Sequence, residues 1–156
     1  MRPDLLELAV FAAFMAPVTF FDLRERRIPD VFVALAGVAL LDIRLWQGTL
    51  LPGHVFGALA AFGLFFLLWL GAREKIGLGD AKLAALIGFY LGFPGWLVAV
   101  FVASLAGVIF VLLRRAAGGK SLFESLAFGP FLVLGTLAAF FVLPYGERLL
   151  GAAVNL

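Results

Sequence analysis

Residues 53–72 read GHVFGALAAFGLFFLLWLGA, twenty positions with one titratable side chain, His54. A helix that crosses the ~30 Å hydrocarbon core of a bilayer needs about 20 mostly apolar residues, and this run meets that requirement. Working outward, residues 95–113 form a second run of the same kind. Four further apolar segments flank the two. Residues 5–21 carry Pro17 as a candidate kink. Residues 31–41 are clean, but Asp42 and Arg44 weaken the continuation. Residues 81–93 are short and are parted from the next segment by Pro94-Gly95, and a last segment runs from Pro130 to about Pro144. The short ones are expected to be tilted or partly re-entrant. The predicted fold is all-α: a polytopic membrane helix bundle of about six transmembrane helices, one domain over residues 1–156. No internal repeat and no linker divides it.

Composition agrees. Of 156 residues, 64% are hydrophobic and 14% charged, and the mean hydropathy is +1.12. A soluble domain of this size has too little interior to hide that much apolar side chain, and a disordered chain would be poorer in it. The absence of cysteine excludes a disulfide scaffold, thiolate-bound zinc and a thiol nucleophile. The net charge of +2 is no sign of a nucleic-acid partner, because Lys and Arg in membrane proteins mostly report orientation. The first segment is expected to be a retained span. Asp4 and Glu7 stand where a signal peptide would have a basic region, and no small-residue cleavage site follows.

The charges test the layout. The loops after the first, third and fifth segments should share one side. With their edge they hold Arg24, Arg26, Arg27, Arg73, Lys75, Lys82, Arg114, Arg115 and Lys120, leaving Arg2, Arg44 and Arg148 for the other. The positive-inside rule then puts the basic loops in the cytoplasm and both termini outside.

Acids beside apolar spans are costly and call for a reason. Asp22 ends the first segment, in FFDLRERRIPD, and Asp80 opens the fourth, in GLGDAKL. The layout brings both to the cytoplasmic membrane boundary. Two carboxylates a few ångströms apart resist double ionisation, so one keeps its proton while the other acts as a base. Such a pair can activate water against a peptide carbonyl and protonate the leaving amine. Gly77 and Gly79 leave room for a substrate strand beside Asp80, and a helix N-terminus favours its charge. Plainer alternatives stand beside these: Asp80 as an N-cap after a glycine turn, and Asp22 as an interfacial partner of Arg24 and Arg26. Two residues past Asp80, Lys82 should point roughly 200° away on a helix. It is a candidate for headgroup or substrate contact, or a snorkelling anchor. His54 is expected to be structural. Gly57, Gly63, Gly88 and Gly92 are expected to let helices approach, and Gly129-Pro130 to start a helix.

Three motifs together, Asp-Leu-Arg-x-x-x-Ile-Pro from Asp22, Gly-Leu-Gly-Asp-Ala-Lys-Leu from Gly77 and Phe-Gly-Pro-Phe-Leu from Phe128, resemble the type IV prepilin peptidases. These are Gly-x-Gly-Asp intramembrane aspartyl proteases. The resemblance implies that Asp22 and Asp80 are the catalytic pair and that Gly129 and Pro130 shape the substrate cleft; Gly77, Gly79 and Lys82, singled out above, join them as candidates to bind substrate or shape the site. It implies cleavage of prepilins or pseudopilins after a glycine in the cytoplasmic membrane of a prokaryote, with lipid as the other partner and no metal or organic cofactor. The family often has Asn after Ile-Pro; here Asp30 offers a third carboxylate. Larger members insert paired Cys-x-x-Cys motifs, associated with N-methylation, between the first two spans. Only nine residues and no cysteine lie there in this chain, so no methyltransferase activity is expected. The rival function is a small proton-coupled transporter, in which intramembrane carboxylates relay protons; an acid near the middle of a span would favour it. A purely structural subunit would have no use for Gly-x-Gly-Asp.

Overall fold

The computed structural model describes residues 5–71, 77–117 and 127–154, with side chains in the last stretch described through residue 142. The basic residues Arg73, Lys75 and Lys120 lie outside the described residues. All regular structure among the described residues is helical: α1 (Leu5–Glu25), α2 (Asp30–Gln47), α3 (Pro52–Gly71), α4 (Leu78–Ala116) and α5 (Gly129–Val154). Among them α1, α3 and α4 are long and apolar enough to cross a membrane.

α1, α2 and α3 each bury one narrow stripe, whereas the first part of α4 is buried on most sides. In α1 the buried positions are Glu7, Phe11, Met15, Val18 and Asp22, steps of three and four that stay on one face. Pro17 lies inside this helix without breaking it. In α2 they are Val33, Ala36, Leu40 and Arg44, and in α3 Gly57, Ala61 and Phe65. Many large apolar side chains point outward, among them Leu59, Leu67 and Phe101. This inside-out distribution suits a bilayer, where burying Leu against another helix gains little over burying it in lipid. Close backbone packing does the joining instead. A Cβ on Gly57 would lie 2.5 Å from the Gly88 carbonyl oxygen, and one on Gly135 would overlap the carbonyl of Ala99. Gly63 faces open space.

A straight helix of α4's length would be about 58 Å long, yet α4 doubles back. Gly57 of α3 abuts both Gly88 and Phe93, while Phe110 packs on Phe131 near the start of α5. The start of α5 is in turn bonded to Asp22, at the end of the bundle where α4 begins. The reversal sits at Gly92, with φ 71° and ψ 173°, a conformation open to glycine and closed to residues with a Cβ. The sequence places this break at Pro94-Gly95. The structure moves it two residues earlier, because Pro94 fits the opening turn of the second arm, where a missing N–H costs nothing.

Among the described residues the helices therefore form six segments that run alternately between two ends of the bundle. Residues 78–91 make the first arm of α4 and 93–116 the second. The first arm lies beside α2, with Asp30 against Lys82 at one end and Arg44 against Phe89 and Tyr90 at the other. α2 also runs on to Gln47, past the Asp42 and Arg44 that make its end look ragged. Arg44 is buried there by Glu7, its Nε donating to Oε1 at 2.9 Å and its Nη2 to Oε2 at 3.0 Å.

Candidate active site

Asp22 is the last residue of the buried stripe of α1, and only 5% of it is exposed. The following turn carries the chain away from the membrane segment. The amide of Arg26 donates to the Asp22 carbonyl at 3.0 Å, with Arg26 itself at φ 54°. Asp22 thus faces the bundle interior while Arg24 and Arg26 stay exposed, and no ion pair joins it to either among the described residues. Its own partner is the Gly129 amide, which donates to Asp22 Oδ2 at 3.0 Å. A Cβ on Gly129 would stand 2.5 Å from that oxygen, so the contact requires glycine.

Asp80 lies in the first turn of α4, half-buried. Its Oδ2 accepts a hydrogen bond from the Gly77 amide at 3.1 Å, and its own amide donates to the Gly77 carbonyl at 3.1 Å. Asp80 does tie down the helix start, but from the third helical position rather than as the N-cap, which is Gly77. The two acids stand at the same end of the bundle, Asp22 against the start of α5 and Asp80 in the first turn of α4, with Ile28 packed between those two helix starts. Each carboxyl has one oxygen held by a backbone amide and Oδ1 free of any hydrogen bond to the described residues.

Ile28 links the two sides. A Cβ on Gly79 would meet the Ile28 Cβ at 2.9 Å, and one on Gly129 would meet its Cδ1 at 3.5 Å. The side chain is thus wedged between the starts of α4 and α5. The Ile-Pro pair is visible in the sequence, but this role is not, because it depends on two glycines 51 and 101 residues further on. Pro130 occupies the first turn of α5. Lys82 pairs with Asp30 at 2.5 Å, with both side chains partly exposed, and no ion pair joins it to Asp22 or Asp80 among the described residues. That engages the third carboxylate elsewhere.

At the far end of the bundle, Glu7 and Arg44 form a buried network that the sequence does not announce. Arg44 also donates to the Phe89 carbonyl at 3.2 Å and the Tyr90 carbonyl at 2.7 Å. His54 packs edge-on against Phe89. Among the described residues no group of three His, Asp or Glu side chains is placed to hold a metal ion.

The model of the type IV leader peptidase family matches residues 9–112, a stretch that contains both acids. The prepilin leader peptidase/N-methyltransferase of Burkholderia pseudomallei strain 1026b is 34% identical over 148 residues, covering 89% of this chain and 48% of that protein. The protein of the same name from Pectobacterium carotovorum is 30% identical over 132 residues, 81% of this chain and 47% of that protein. The one from Escherichia coli K12 is 26% identical over 136 residues, 83% of this chain and 60% of that protein. The chain spans about half the length of the first two. No solved structure matches it. The chain belongs to the type IV leader peptidase family.

Proposed function

We propose that this protein is an intramembrane aspartic endopeptidase that removes the leader from type IV prepilins or pilin-like proteins, and that Asp22 and Asp80 carry the reaction. The observation that supports this most is their convergence. The acids end α1 and begin α4 and come to the same end of the bundle, and each is steadied by a backbone amide that leaves one oxygen free. One carboxylate takes a proton from water as the water attacks the scissile carbonyl. The other, protonated, polarises that carbonyl and then supplies the proton that the departing amine needs. Gly77, Gly79 and Gly129 keep side chains off the approach to the pair, and Pro130 sets the start of the helix behind it.

The six alternating segments fit six crossings, with both termini outside and the acids at the cytoplasmic face. The exposed Arg24, Arg26 and Arg27 beside Asp22 and the positive-inside rule favour that orientation. A bond at the membrane boundary just after a glycine suits the site, because glycine lets a substrate helix unwind and expose its carbonyl. We assign the peptidase activity alone. The relatives' name also carries N-methyltransferase activity, but the Cys-x-x-Cys segment associated with it has no counterpart between α1 and α2. The proton-relay alternative gains nothing from the acid positions, since Asp22 and Asp80 stand at helix ends and Glu7 is bound to Arg44.

The test is to reconstitute the protein in liposomes with a prepilin-like substrate and weigh the products. A single cut after the glycine that precedes the apolar stretch is expected. An intact substrate across a range of pilin-like proteins would defeat the proposal.

A further inference from the structure

The N–H that holds Asp22 belongs to the peptide joining Phe128 to Gly129. A peptide unit is planar and turns as one body, so the Phe128 carbonyl and the Gly129 N–H move together. The unit is tied at both ends. Its carbonyl accepts the Leu132 amide at 3.1 Å, and its N–H donates to Asp22 Oδ2 at 3.0 Å. Whatever fixes Phe128 therefore fixes the aim of that N–H.

The Phe128 ring is held from a helix that bears neither acid and none of the three motifs. It stacks on the ring of Phe65 in α3, with centroids 6.4 Å apart and planes 28° from parallel, an arrangement aromatic pairs favour. Phe65 is 5% exposed and has its own support. Trp96 of the second arm of α4 meets it edge-on at 6.4 Å, and Phe93 packs on Trp96 at 5.9 Å. Further along α3, Gly57 abuts Gly88, and a Cβ on Gly88 would stand 3.0 Å from the Ala61 Cβ. Close packing of this kind leaves a buried ring little room to shift. Phe65 is thus a fixed point, set by two arms of α4, against which Phe128 rests.

We propose that Phe65 is a positioning residue for the reaction: by holding the Phe128 ring, it sets the peptide whose N–H steadies Asp22. The proposal rests on the peptidase reading and adds α3 to the machinery that places the acids. Phe65 acts through Phe128 alone, and what it supplies is a flat, immobile face. A leucine fills much of the same space but offers no such face.

The test uses the whole chain in detergent micelles with isotope-labelled glycine. A hydrogen bond to a carboxyl moves an amide proton downfield, and the Gly129 signal is identified by its loss in Gly129→Ala. Phe65→Leu is expected to move the Gly129 amide proton upfield and to leave that of Gly77, which is bonded to Asp80, in place. On a prepilin-like substrate its kcat should fall about fivefold or more, with KM within about twofold. Phe128→Leu removes the other half of the stack and should reproduce both effects. The double variant should lose no more than either single one, because both break the same contact. Phe62→Leu, at an exposed position of α3 where the ring stacks on Phe66, should change neither readout. An unmoved Gly129 signal in Phe65→Leu overturns the proposal, and so do losses in kcat that simply multiply in the double variant. If Phe65→Leu does not fold, Phe128→Leu carries the same two readouts. Wild-type protein that cleaves no pilin-like substrate instead defeats the peptidase reading, and the Gly129 signal still decides whether Phe65 holds the peptide.

Discussion

The amide of Gly129 holds a carboxyl oxygen of Asp22 at 3.0 Å, although 107 residues separate them in the chain. The contact fixes one acid against the start of α5, and with Ile28 wedged against Gly79 and Gly129 it ties three helix ends into one frame. The site is thus positioned by backbone atoms and by the lack of side chains, more than by polar side chains.

Gly129→Ala should consequently damage the reaction more than the fold. A methyl group 2.5 Å from Asp22 Oδ2 displaces either the carboxyl or the start of α5. A shift of about 1 Å at reacting groups costs on the order of 100-fold in rate. Cleavage kinetics should show kcat falling by about tenfold or more, with thermal unfolding in detergent little changed.

Asp30 provides a specificity control for the proposed catalytic pair. It is exposed and engaged with Lys82, a kind of pair worth roughly 0–1 kcal/mol. Asp30→Asn should leave the cleavage rate within about threefold of wild type. A loss as deep as that of an Asp80 variant would make Asp30 part of the catalytic machinery.

The Glu7–Arg44 network makes a prediction about stability. Removing one member of a buried pair costs about 3–5 kcal/mol, because the other charge is left without a partner. Glu7→Ala and Arg44→Ala should each lower the unfolding temperature in detergent markedly. Glu7→Leu combined with Arg44→Met should be less destabilised than either single variant.

Close glycine packing makes another. A side chain at Gly88 would run into the backbone of Gly57, and overpacking a close contact costs roughly 1–3 kcal/mol. Gly88→Leu should be destabilised by about that amount, and Gly63→Leu, which faces open space, should be neutral. Thermal unfolding of the two side by side checks this.

These cases also show how far the sequence carries. The helices are legible from hydropathy, because an apolar run of membrane length has few alternatives. Asp22 and Asp80 stand out because an acid at the edge of such a run is rare, and the order of three motifs points to the family. The turn inside α4 is misplaced by two residues, since Pro94 is the louder signal while the reversal depends on a positive φ that only Gly92 supplies. The end of α2 looks broken because the partner that permits a buried Arg44 lies 37 residues earlier. The wedge at Ile28 is equally hidden, being a contact with glycines on two other helices. What is illegible in each case is a long-range pairing, and a local pattern holds no record of it.

The most direct test of the account is the cleavage rate of Asp22→Asn and Asp80→Asn on a prepilin-like substrate, with each variant first shown to keep its helix content and unfolding temperature. Each replacement preserves shape and removes the ability to exchange a proton, so each alone should abolish the shortened product. Cleavage at near wild-type rate by either folded variant would contradict a mechanism that needs both acids.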